Sequence, residues 1–169
     1  KHCLYKDKLV LRGGEYASTD ECTLIFLLDL ITMCWTCTDT MASDDIREAL
    51  PSNFRRFTEN YITGGRMHVF TRTIETHFIL DLSSKTWSKM RAKNASKLPE
   101  EGNVFTSGGN LYTFGKKKTT EVGVLWRFDE ETEAWIKMIS SRSNRYPENL
   151  KYRGVISAGS RIYFWDLVA

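Results

Sequence analysis

The sequence predicts an all-β fold: three four-stranded antiparallel units and part of a fourth. Short runs of β-branched, aromatic and aliphatic residues recur along the chain, each bounded by turn formers. An aspartate is followed six positions later by a tryptophan three times, at Asp29 and Trp35, Asp81 and Trp87, and Asp129 and Trp135. The tryptophans are 52 and then 48 residues apart, the period of a structural repeat.

Taken in order, the first unit spans about 2–38, with strand runs at Leu9–Arg12 and Thr23–Leu28 and the double glycine Gly13-Gly14 after the first of them. The second, about 58–90, has Met67–Phe70 and His77–Leu80. The third, about 103–138, has Leu111–Phe114, Gly115 and Val124–Phe128. A partial fourth, about 153–169, contains Ile162–Trp165. Gly64-Gly65 and Gly108-Gly109 supply the positive φ of a tight hairpin. Each aspartate opens a polar turn whose backbone its carboxylate can bind. Each tryptophan starts an outer strand and is expected to be a core peg, worth roughly 4–6 kcal/mol by area as an upper estimate. Ser43–Leu50, ahead of Pro51, is the one expected helical turn, with Ser43 as N-cap.

Composition bounds the function. A chain of 169 residues, 41% hydrophobic and 12% aromatic, is read as one segment with a sizeable core. No apolar run approaches the roughly 18 residues of a spanning helix. A formal charge of +3 lies below the clustered excess that makes nucleic acid the expected partner. Cys3, Cys22, Cys34 and Cys37 all fall in the first quarter, which does not fit a disulfide scaffold. No charged-then-apolar leader opens these residues, and the expected compartment is the reducing cytoplasm. Cys34 and Cys37 have CxxC spacing, but residues three apart on a strand point to opposite faces, so neither a metal nor a cofactor is expected. Asn94-Ala-Ser96 is a glycosylation triplet, relevant only to a secreted chain.

An apolar strand closed by Gly13-Gly14, a variable loop, a strand ending in Leu28-Asp29, Leu80-Asp81 or Phe128-Asp129, and a tryptophan six residues later resemble the kelch repeat over nearly the whole chain. The pattern departs from that family at Thr71-Arg72, at the single Gly115, and in having no tyrosine before the aspartates. The resemblance implies a partial β-propeller of four-stranded blades, with Gly13, Gly14, Asp29, Trp35, Asp81, Trp87, Gly115, Asp129 and Trp135 in structural roles. It also implies a protein-binding module rather than an enzyme: part of a ubiquitin-ligase adaptor or scaffold, or alternatively a cytoskeleton-binding propeller. A propeller closes with about four to eight blades. Two alternatives stand open: a piece of a longer propeller, and an arc completed by a second copy.

In a four-stranded meander the loops after the second and fourth strands share one end. That end collects Arg72, Arg91, Lys93, Lys116, Lys117, Lys118, Arg142 and Arg145, whereas Glu130, Glu131 and Glu133 lie at the other. The expected partner is an acidic protein segment held mainly by arginine forks, with nucleic acid the weaker alternative and no membrane involved. Asp81–Trp87 resembles the sialidase Asp box without its glycine, a motif that is itself structural. His2, His68 and His77 are scattered, and no nucleophile, phosphate loop or carboxylate pair stands at usable spacing. An oxidase-like or sialidase-like propeller enzyme is therefore the weaker alternative.

Overall fold

A computed structural model describes residues 2–12, 23–50, 59–70, 76–99, 101–116, 124–138, 154–158 and 161–165. Gly13, Gly14, Arg72, Lys117, Lys118, Arg142 and Arg145 lie outside these residues, and for Lys116 only the backbone is described. The chain divides into two compact units, Lys1–Arg91 and Ala92–Ala169.

The first unit holds two sheets. Sheet 1 is the meander of β1 (His2–Tyr5), β2 (Lys8–Arg12), β3 (Ile25–Asp29) and β4 (Trp35–Thr38). A short helix, α1 (Asp44–Ala49), follows. Its N-cap is Ser43, as the sequence predicts, although the Ser43 hydroxyl makes no capping hydrogen bond. Sheet 2 runs through β5 (Glu59–Thr63), β6 (Arg66–Phe70), β7 (Thr76–Asp81) and β8 (Thr86–Arg91) in the same order. The hairpin between β5 and β6 turns on Gly64 and Gly65, whose φ values of 53° and 82° are costlier for residues with a Cβ than for glycine. A Cβ at Gly65 would also lie 3.2 Å from the Tyr5 hydroxyl.

The second unit repeats the plan. Sheet 3 comprises β9 (Glu101–Ser107), β10 (Asn110–Lys116), β11 (Val124–Asp129) and β12 (Ala134–Met138). A two-stranded sheet 4 pairs β13 (Gly154–Ala158) with β14 (Arg161–Trp165). All the pairings are antiparallel.

Register gives each sheet two distinct faces, because successive side chains point opposite ways. In sheet 1 one face carries the row Leu4, Leu9, Leu28, Trp35, and in sheet 2 the matching row is Ile62, Met67, Leu80, Trp87. We call this the tryptophan face and the other the reverse face. The core of the first unit forms where the tryptophan face of sheet 2, with Met67, Val69, Phe78, Leu80 and Trp87, meets Val10 and Ile25 of the reverse face of sheet 1. Ile46 and Leu50, from α1 and its end, close that core. In the second unit Phe164 of β14 packs on the reverse face of sheet 3, with ring centroids 5.8 Å from Phe105 and 5.0 Å from Phe114. The same sense of stacking thus occurs in both units.

Candidate partner-binding surfaces

The six-residue spacing has a local cause. Asp81 Oδ1 accepts hydrogen bonds from the backbone N–H of Ser83 and Ser84, both at 2.9 Å, and from the Ser83 hydroxyl at 2.6 Å. Asp29 Oδ1 accepts from Ile31 N at 3.0 Å and Thr32 N at 2.9 Å, while Lys8 Nζ donates to its other oxygen at 2.6 Å. Asp129 accepts from the hydroxyl of Thr132 and, at 3.2 Å, from its N–H. Hydrogen bonds that are stronger to the charged carboxylate than to the neutral acid hold Asp81 down at about 2, led by the Ser83 hydroxyl. Asp29 and Asp129 are pushed below the usual range for the same reason, led by Lys8 and by the Thr132 hydroxyl respectively.

The fourth residue after each aspartate, Met33, Lys85 or Glu133, is left-handed at φ 58°, 59° and 53°. That twist returns the chain to the sheet one residue before the tryptophan. It also turns the carbonyl of the left-handed residue outward, where it meets a second repeated feature. Met41 N–H donates to Lys85 O at 2.8 Å, and Met41 O accepts from Trp87 N–H at 2.8 Å. In the second unit Lys93 N–H donates to Glu133 O at 2.8 Å and Lys93 O accepts from Trp135 N–H at 3.0 Å. Met41 and Lys93 stand six residues after Trp35 and Trp87, so one parallel bridge recurs at one repeat position.

These bridging segments bury two of the tryptophans. Trp87 is 3% exposed, and its indole Nε1 donates to Thr40 Oγ1 at 2.6 Å, with Thr40 in turn bonded to Thr23 O. The guanidinium of Arg12 stacks 4.7 Å from the Trp87 ring. Trp135 is fully buried, lies 5.3 Å from Phe128 centre to centre, and accepts at its backbone O from Asn94 Nδ2 at 3.3 Å. The glycosylation triplet is thus part of a structural joint. Trp35 departs from the expected core role: it is 53% exposed. Its register matches that of the others, but among the described residues no segment bridges its outer edge.

His68 and His77 are core histidines, as their strand positions imply, and they form a pair. His68 Nδ1 and His77 Nε2 are 3.3 Å apart, and His68 Nε2 lies 3.1 Å from Thr63 Oγ1. Phe70 stacks on His77 at 4.6 Å. Burial, then the neighbouring His68, pushes His77 down to about 3, so it stays neutral through the physiological range. Among the described residues no group of three or more His, Cys, Asp or Glu is placed to hold a metal ion. Cys34 and Cys37 are exposed free thiols; the Cys3 thiol, pushed up to about 11 by burial, donates to Asn60 O at 3.0 Å.

The basic positions separate. Arg91 is exposed at the end of β8, opposite Thr76 at the start of β7, at the end of sheet 2 where β6 closes with Phe70. Lys116 closes β10 at the corresponding end of sheet 3, opposite Glu101 in register. Lys93, grouped with them by strand order, lies instead beside Glu133 of the acidic turn, because its backbone forms the bridge there. Glu131 and Glu133 are exposed in that turn. Sequence reasoning missed both the bridge and the left-handed positions, since backbone hydrogen bonds leave no side-chain signature.

No protein-family model matches the chain, and no curated protein matches it. No helix among the described residues is long and apolar enough to cross a membrane.

Proposed function

We propose that the chain is a protein-binding module of the kelch type that holds an acidic partner segment with basic loops at one end of its sheets, as part of an adaptor or scaffold. The observation that carries this reading is the position of Arg91. It is exposed at the end of sheet 2 where β8 closes opposite the start of β7, and in sequence Arg72 follows Phe70, the last residue of β6, by two positions. Arginine forks bind carboxylates in two places and keep their charge at any working pH. The blade-like meanders and the resemblance in sequence support the module; the substrate-adaptor role rests on the resemblance alone.

Binding of the chain to an immobilised poly-glutamate peptide at low salt tests the surface. Replacing Arg72 and Arg91 together by Ala, or Arg142 and Arg145 together by Ala, is expected to weaken retention about tenfold with an unchanged circular dichroism spectrum. Equal retention by wild type and both double variants would remove these arginines from the site.

A further inference from the structure

In sheet 1 the tryptophan face is as apolar as its counterpart in sheet 2 and is open. Leu4 is 66% exposed, Phe26 37% and Trp35 53%, and Ile31 in the adjoining turn is 76% exposed. Scattered apolar side chains are ordinary on a protein surface, but a contiguous apolar row backed by an exposed tryptophan marks an interaction face.

The molecule itself shows what such a face accepts. Within the first unit the tryptophan face of sheet 2 is seated on the reverse face of sheet 1. Within the second, the Ile162 and Phe164 face of β14 is seated on the reverse face of sheet 3. Each later sheet offers its tryptophan side and each earlier sheet its reverse side. Two such faces carry exposed apolar or aromatic side chains among the described residues: the tryptophan side of sheet 1, at Leu4, Phe26 and Trp35, and the reverse side of sheet 4, at Tyr163. Tyr163, on that reverse side, is 48% exposed; Val10, which follows the first apolar residue of β2 as Tyr163 follows that of β14, is 1% exposed beneath sheet 2. The outer edge of β4 is equally ready. Met33 is left-handed, as Lys85 and Glu133 are, so Met33 O and Trp35 N–H occupy the positions that receive a bridge at Thr86 and Ala134.

We propose that the tryptophan face of sheet 1 docks the reverse face of sheet 4 of a second copy of this chain, so that copies join head to tail. The interface is heterologous, each copy contributing a different surface. It is built from the joint the chain already uses internally, and it lies apart from the basic strand ends, so it stands or falls independently of the acidic-segment reading.

Sedimentation velocity over a concentration series tests it, with Trp35→Glu and Ile31→Lys on one half of the joint and Tyr163→Glu on the other. All three side chains are substantially exposed, so the unfolding midpoints should stay near that of the wild type. The wild type is expected to associate, and each variant alone to lose association by at least about tenfold. An equimolar mixture of Trp35→Glu and Tyr163→Glu chains should recover a one-to-one dimer, since each supplies the half the other lacks. A wild type that is monomeric at every concentration, association that survives Trp35→Glu, or a mixture that stays monomeric would each overturn the proposal.

Discussion

Trp35 and Trp87 start the outer strands of adjacent sheets in the first unit, six residues after an aspartate whose carboxylate ties the preceding turn. Each faces a leucine across the ladder, Leu28 or Leu80. Yet Trp87 is 3% exposed and Trp35 53%. Local sequence therefore sets the position of the tryptophan but not its burial. Burial comes from the segment between the sheets, where Thr40 receives the indole N–H, Met41 bridges the backbone, and Ile46 and Leu50 close the side.

That contrast is sharpest in truncation. Trp87→Ala is expected to destabilise the first unit by about 3–5 kcal/mol through lost burial and a residual cavity. Trp35→Ala should cost less than about 1 kcal/mol in the dissociated chain, as exposed positions do. Chemical denaturation at low protein concentration measures both; equal losses would mean that the exposed tryptophan is buried in solution.

A second contrast lies on the reverse faces. Sheet 1 places Val10 and Ile25 where sheet 2 places His68 and His77. The unfolded chain protonates His77 below its ordinary value of 6.5, whereas the folded chain holds it neutral to about 3. Stability from this group is therefore complete above about pH 6.5 and falls on acidification, by about 2 kcal/mol at pH 5. Urea titrations at pH 7 and pH 5 should show this loss, and His68→Val with His77→Ile, copying sheet 1, should remove it. An unchanged pH dependence in that double variant would assign the acid sensitivity elsewhere.

The smallest effect concerns the turns. Lys85 adopts φ 59°, a conformation that costs residues with a Cβ about 1–2 kcal/mol and glycine little. Lys85→Gly should therefore be neutral or stabilising by up to about 1 kcal/mol, set against the greater freedom of glycine in the unfolded chain. Marked destabilisation, read from the thermal midpoint, would show that the lysine side chain matters more than the backbone.

The strands, the Asp turns and the double-glycine hairpins were legible because each follows from side-chain chemistry near in sequence: β-branched and aromatic runs, a carboxylate two residues from N–H donors, a glycine at positive φ. Two features were hidden. The left-handed residues are Met33, Lys85 and Glu133, none of them glycine or asparagine, so no residue type marks them. The bridges use Met41 and Lys93, which share no chemistry because only their backbones take part. The exposure of Trp35 was illegible for a related reason, since burial depends on what a distant segment covers. Lys93 shows the limit of strand order as a guide to charge: a residue two positions beyond Arg91 ends beside an acidic turn.

The backbone bridge also determines which changes of length the fold can absorb. From Trp35 to Met41 and from Trp87 to Lys93 the count is six in both cases, whereas the next strand begins 18 residues after Met41 and only 8 after Lys93. The near side of the joint behaves as a ruler and the far side as slack. One residue inserted before Met41 would put the wrong peptide group opposite Trp87, while residues inserted between α1 and β5 would leave that count unchanged. Repeats built this way can diverge in almost every side chain of the connecting segment and still dock, provided the first six steps are counted correctly.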